Sequence, residues 1–165
     1  MLNEDARQLG RCIDIIAKRC RNGIPALVGD APQPSDREIY EALNWKTGES
    51  TKSKSGPKDK IANQAVNKAL FDATLGLVPW SYLVAVCRKF SRDRKTSRDW
   101  LAYRLHCVSL SFAGSRFTYA TQADIAAQTQ MSKGRVSRVI RRVPVQIAAL
   151  ALSGIYVKSG VDTKR

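Results

Sequence analysis

Apolar residues in this chain return every three or four positions, and that spacing constrains its fold more than any other feature. A stripe with such a period falls on one face only if the backbone is helical. In "NEDARQLGRCIDIIAKRCRNG" the stripe is Leu9, Cys12, Ile13, Ile16 and Cys20, and Gly23 stands where it can close the helix. Ser35 and Glu38 have the spacing of a capping box ahead of "DREIYEALNW", whose apolar face is Ile39, Tyr40 and Leu43. "DKIANQAVNKALFDATLG" aligns Ile61, Ala65, Ala69 and Ala73, and Pro79 restarts a helix in "PWSYLVAVCRKF". In "SRDRKTSRDWLAYRLHCVSLSFAG", Thr96 and Asp99 form a second capping-box pair. Trp100, Leu101, Leu105, Val108 and Phe112 then repeat along one side, with Gly114 as the stop. A strand reading is available only near "GIYVKSG" at residues 154–160. The expected fold is all-α, a multi-helix domain.

Two stretches interrupt the helical pattern. "IPALVGDAPQPS" holds three of the six prolines and reads as a connector. "KTGESTKSKSGPKDK", Lys46 to Lys60, has no aliphatic or aromatic residue and reads as a flexible basic linker or long loop. The expected organisation is therefore an N-terminal helical region at 1–45, the linker at 46–60, and a helical domain at 61–165.

Charge narrows the possible partners. The net charge is +14 and the pI about 10.1. Met1 to Cys87 holds 12 basic against 10 acidic residues, whereas Arg88 to Arg165 holds 16 against 4. An excess of that size, confined to one half, points to a polyanion. No apolar run approaches the ~18 residues needed to span a bilayer, and "MLNEDARQLGR" has no signal-peptide core. A cytoplasmic protein, associated with nucleoid or plasmid and not with membrane, is expected.

Catalytic and metal chemistry find little to work with. Cys12, Cys20, Cys87 and Cys107 form no C-x-x-C pair, and His106 is the single histidine, so neither zinc nor any other cofactor is expected. The basic half offers only Asp93, Asp99, Asp124 and Asp162, and two of these occupy cap positions. That is too few for a two-metal nuclease site. No G-x-x-x-x-G-K loop is present. The chain is not expected to be an enzyme.

"TQADIAAQTQMSKGRVSRVIRR", residues 121–142, carries the positive reading. A helix-turn-helix needs two short helices joined by a tight turn and sharing apolar contacts, with the second lying in the DNA major groove. Thr121 and Asp124 have capping-box spacing for "QADIAAQT", with Ile125 facing the core and Ala126 small where the second helix passes. Thr129, Gln130 and Met131 fill the turn, Met131 as an apolar plug. Gln130 stands where glycine is commonest, so it must adopt or avoid a left-handed conformation. Ser132 caps "KGRVSRVIRR", in which Val136, Val139 and Ile140 point inward. Five cations and no carboxylate occupy Ser132 to Arg142. The outward residues at the start of this helix, Ser132, Lys133, Arg135 and Ser137, are expected to meet base edges, where arginine pairs bidentately with guanine. Arg138, Arg141 and Arg142, together with Thr121 and Gln122 on the first helix, are expected to hold phosphates.

The segment from Trp100 to about Gly160 resembles the helix-turn-helix of ParB-type partition proteins and the related KorB-type repressors. There the recognition helix is followed by an "LP"-like break and another helix; here the order is "SKGRVSRVIRR", Val143-Pro144, then "VQIAALALSG". The arginine-rich nucleotide-binding boxes of the partition proteins' N-terminal module have no counterpart in this chain. The resemblance implies a DNA-reading module, as in a plasmid, phage or bacterial transcriptional regulator or a partition-type factor.

One such module reads part of a helical turn, so a homodimer on two half-sites is expected. The stripe of Asn3 to Asn22 is the candidate pairing surface, against the competing possibility that it packs within one chain; "QIAALALSGIYV" could also pair. Two alternatives stay open. The chain could be a DNA-anchored adaptor that recruits a protein through its N-terminal region. It could instead bind RNA through "RKFSRDRKTSRDW", although Phe90 and Trp100 read better as core.

Overall fold

The computed structural model of the chain describes residues 2–44, 72, 75–76, 78–111 and 121–163. The 46–60 linker, the stripe Ile61, Ala65, Ala69 and Ala73, and the Phe112 and Gly114 positions lie outside them. Among the described residues there are seven helices and no strand. They are α1 (Leu2–Arg19), α2 (Gly23–Leu27), α3 (Asp36–Asn44), α4 (Trp80–Arg92), α5 (Ser97–Ser111), α6 (Gln122–Thr129) and α7 (Lys133–Thr163).

The expected stripe of α1 is real and wholly spent inside the chain. Leu9, Cys12, Ile13, Ile16 and Cys20 are all buried, and they share one core cluster with Ile24, Leu27, Ile39, Leu83, Tyr103, Ile125, Val136 and Ile147. A buried side chain of this size stabilises by roughly 1.5 to 3 kcal/mol relative to exposure. The stripe therefore has a partner already, in α7 above all and in α2, α3 and α5. Charge agrees with the geometry: Glu4 and Asp5 sit in the first turn of α1, and Lys18 and Arg19 in its last, each matched to the helix dipole.

Several boundaries differ from the sequence expectation. Gly23 begins α2 instead of closing α1. A Cβ on it would fall 2.1 Å from the Ile16 carbonyl oxygen, so only glycine lets the two helices meet there. The left-handed residue before it is Asn22, with φ 56°, a residue type that tolerates that region. A third of the proline-bearing connector is thus helical, with Pro25 in the first turn of α2. Pro79 is the cap of α4, and the helix starts at Trp80. Ser35 behaves as expected, its Oγ accepting the Glu38 N–H at 3.2 Å.

The largest departure is α7. It runs 31 residues without a break, with Pro144 inside it, where a second helix was expected to begin. Pro144 cannot donate to the Ile140 carbonyl. The helix persists because its buried face keeps phase across the proline: Val136, Ile140, Val143, Ile147 and Ala151 are all buried. The strand reading at 154–160 fails for the same element, since the backbone there is the last part of α7.

α1 and α7 touch closely enough to require a residue without a side chain. A Cβ on Gly10 would lie 2.9 Å from the Val145 Cα and 3.0 Å from its nitrogen. A second tie joins α1 to α5, where the buried Tyr103 hydroxyl donates to Asp14 Oδ1 at 2.6 Å and Lys18 pairs with Asp14 Oδ2 at 3.0 Å. Gly10→Ala is expected to destabilise by about 1 to 3 kcal/mol, because the added methyl meets backbone that cannot rotate away. Urea unfolding of the two proteins checks this; an unchanged midpoint would show that the helices can separate at no cost.

Candidate nucleic-acid interface

The segment from Thr121 to Arg142 begins with a closed cap. Thr121 N–H and its hydroxyl both donate to Asp124 Oδ2 at 3.0 Å, and Thr121 Oγ1 accepts the Asp124 N–H at 3.2 Å. These bonds hold the Asp124 carboxyl below its ordinary value, the Thr121 backbone N–H contributing most and its hydroxyl next. The hydroxyl of Thr121 is thereby committed to its own helix. Gln122 beside it is exposed.

Three residues, Gln130 to Ser132, join α6 to α7. Gln130 adopts the left-handed conformation, φ 57° and ψ 38°, although it is not glycine. The turn is closed behind it by Met131 N–H donating to the Ala126 carbonyl at 3.0 Å, a Schellman-type bond. Met131 is buried, and Thr129 satisfies its buried hydroxyl by donating to the Ile125 carbonyl at 2.6 Å. Ile125, Val136, Val139 and Ile140 join the common core, so α6 and the first half of α7 are seated on the same hydrophobic cluster as α1.

Ser132 caps α7, its Oγ accepting the Arg135 N–H at 3.2 Å. With the apolar face turned in, Lys133, Arg135, Arg138, Arg141 and Arg142 are all exposed and Ser137 is half-buried. At 100° per residue, Gly134, Arg138 and Arg141 lie at the centre of the outer face, with Ser137 on one side and Arg135 and Arg142 on the other. Arg138 Nε donates to the Gly134 carbonyl at 3.4 Å, and Arg141 donates to Ser137 Oγ at 3.3 Å. No acidic residue occupies the first turn of α7; Lys133 and Arg135 do, against the helix dipole.

Arg135 stands apart from the others. Its guanidinium Nη2 is 3.6 Å from Asp99 Oδ1 on α5, with the two side chains 52% and 19% exposed. That distance makes an ion pair but not a hydrogen bond, and Asp99 Oδ1, shielded from solvent, has no hydrogen-bond partner. Asp99 therefore does not close the expected capping box with Thr96. Thr96 instead donates its hydroxyl to the Phe90 carbonyl at 2.6 Å. Sequence spacing alone gave Asp99 to its own helix; a contact across 36 residues leaves no local signal.

The remaining chemistry is inward-facing. Burial pushes the thiols of Cys20 up to about 11 and of Cys87 and Cys107 to about 12, so they stay protonated near neutrality. His106 is half-buried and lowered, by desolvation first and then by Lys18. Among the described residues no group of His, Cys, Asp and Glu is placed to hold a metal ion, and no helix is long and apolar enough to cross a membrane. Comparison of the chain with protein-family models, curated proteins and solved structures returns no match.

Two outcomes follow from this geometry. The depressed Asp124 carboxyl contributes stability above its ordinary value of 3.8 and loses it as pH falls through the lower folded value. The gap in thermal midpoint between the parent and Asp124→Ala should therefore be present at pH 5 and shrink toward pH 2.5. A gap independent of pH would remove the carboxylate from the cap. Gly134 is different: a Cβ there would meet nothing within 4 Å, so the fold has no steric need for glycine. Gly134→Ala is expected to stabilise by up to ~1 kcal/mol in chemical unfolding; a loss of stability would mean that the fold itself requires the glycine.

Proposed function

We propose that the chain is a sequence-specific duplex-DNA-binding protein in which α6 and the start of α7 act as a helix-turn-helix. The observation that carries this reading is the division of α7. Val136, Val139, Ile140 and Val143 are buried on one side, while five cations stand exposed on the other with no carboxylate between Ser132 and Arg142. A helix that only had to be soluble would mix both signs on its outer face. In this reading Ser132, Lys133, Arg135 and Ser137 meet base edges, and Gln122, Arg138, Arg141 and Arg142 hold phosphates, with Thr121 presenting the α6 terminus. A regulatory or partition-type role on a bacterial, plasmid or phage genome suits such a module.

Pairing on two half-sites belongs to the same proposal, through a surface other than the α1 stripe. Leu150, exposed on the far part of α7, is one apolar residue open to a second copy. The adaptor and RNA readings gain no specific observation. Phe90 and Trp100 are buried against one another, ring centroids 6.5 Å apart, and so cannot stack on bases.

The test is a salt titration on duplexes selected from a random pool. Log affinity should fall linearly with log salt, with a slope of about −0.9 per phosphate neutralised. Arg141→Ala and Arg142→Ala should each make the slope shallower by about 0.9 and weaken all sequences alike. Arg135→Ala should cost about 1 to 3 kcal/mol at one base position and relax the preference there. A flat titration would overturn DNA binding, and a uniform loss from Arg135→Ala would take base reading away from that residue.

A further inference from the structure

We propose that the turn between α4 and α5 is a second phosphate-binding element, with Arg94, Lys95 and Arg98 gripping the backbone of the same duplex beside the start of α7. The inference rests on the DNA-binding reading and adds three residues to it. Its basis is the contact between Asp99 and Arg135. Asp99 is in the first turn of α5 and Arg135 in the first turn of α7, so a 3.6 Å approach of their side chains sets the two helix starts next to each other. Arg98 precedes Asp99 directly, and even a fully extended chain keeps Arg94 within about 18 Å of it. A helix seated in a major groove about 12 Å wide has a phosphate strand on either side. The turn stands where one of those strands passes.

The turn is built to hold its shape. Thr96 donates to the Phe90 carbonyl at 2.6 Å, and Asp93 Oδ1 accepts the Lys95 N–H at 3.1 Å. Ser97 N–H donates to the Asp93 carbonyl at 2.8 Å, and beneath it Phe90 and Trp100 pack edge to face. Arg94, Lys95 and Arg98 are exposed, and among the described residues none is within ion-pair distance of a carboxylate. They also sit at the positive end of a 15-residue helix, where added positive charge is unfavourable. α1 and α3 put two acidic residues each in that place, whereas α5 has Asp99 alone, and its carboxylate is turned to Arg135 of α7. Arg94, Lys95 and Arg98 thus have no carboxylate partner among the described residues, next to a second helix start where Lys133 and Arg135 also stand against the dipole, Arg135 paired with Asp99. A polyanion would give these three cations the counter-charge that no described carboxylate gives them.

The experiment compares the full chain with Arg94→Ala/Lys95→Ala/Arg98→Ala and with a charge-matched control, Arg21→Ala/Arg37→Ala/Arg104→Ala. All six positions are exposed, and Arg104 lies on the opposite face of α5 from Asp99. Thermal unfolding shows first that each variant folds, with a midpoint for the turn variant equal to or above the parent's. The turn variant should then lose slope in the plot of log affinity against log salt, by about 0.9 for each contact and so by up to about 2.7. Its base preference should not change, and the control should keep the parent slope. If the parent binds with a steep slope and the turn variant matches it, or loses no more than the control, the turn is not a contact and the helix-turn-helix reading survives without it. If the parent itself shows no salt-dependent duplex binding, both readings fall together.

Discussion

The crossing of α1 and α7 is the contact on which the rest of the molecule depends. Gly10 permits it, since any side chain there would run into the Val145 backbone. With the two axes that close, Leu9, Ile13 and Ile16 of α1 share one core with Val143, Ile147 and Ala151 of α7. α2 and α3 pack on α1, α4 on α2, α5 and α7, and α6 on α5 and α7. The outward cations of α7 are exposed because its other side is fully engaged. A basic surface made this way follows from burial, and its backbone positions are as fixed as the core beneath them.

Much of this was legible in residue spacing. The α1 stripe, the inward set Ile125, Val136, Val139 and Ile140, and the Thr121–Asp124 cap all follow from local rules: helical period, cap chemistry, and the absence of any acidic residue along one face. What escaped was decided by contacts distant in sequence. Pro144 is a local signal for a helix end, yet tertiary burial on both sides of it outweighs one missing hydrogen bond. Residues 154–160 have a β-branched and aromatic content that suits a strand, yet they continue a helix already anchored upstream. Asp99 has a good local explanation as a cap, and the structure gives it to a partner 36 positions away. The α1 stripe was visible, but whether it faced its own chain or another could not be read from period alone.

The candidate interface combines two kinds of rule-breaking that local propensity would advise against. Gln130 takes a left-handed conformation that glycine would take without strain, and cations occupy the start of α7, where carboxylates are favoured. Elsewhere among the described residues α1 matches its dipole at both ends, and the one other left-handed non-glycine residue is Asn22, of a type that tolerates that region. Departures from local preference in this region suit the proposed role of its surface in meeting a partner outside the protein.

The unbroken course of α7 has a mechanical meaning. At 1.5 Å per residue it is a rod about 46 Å long, whose first three turns carry the basic face and whose middle is clamped in the core. A hinge at Pro144 would have let the front end tilt on arrival at a target and recover its fit by adjustment. Without one, the front end has the orientation that the clamp dictates, and the backbone of that surface is ordered when the chain folds. Such a rod transmits displacement along its length. Under the proposed pairing, a second copy that gripped the far end would turn the front end with it, so the angle between the two copies would set which spacing of half-sites they can span.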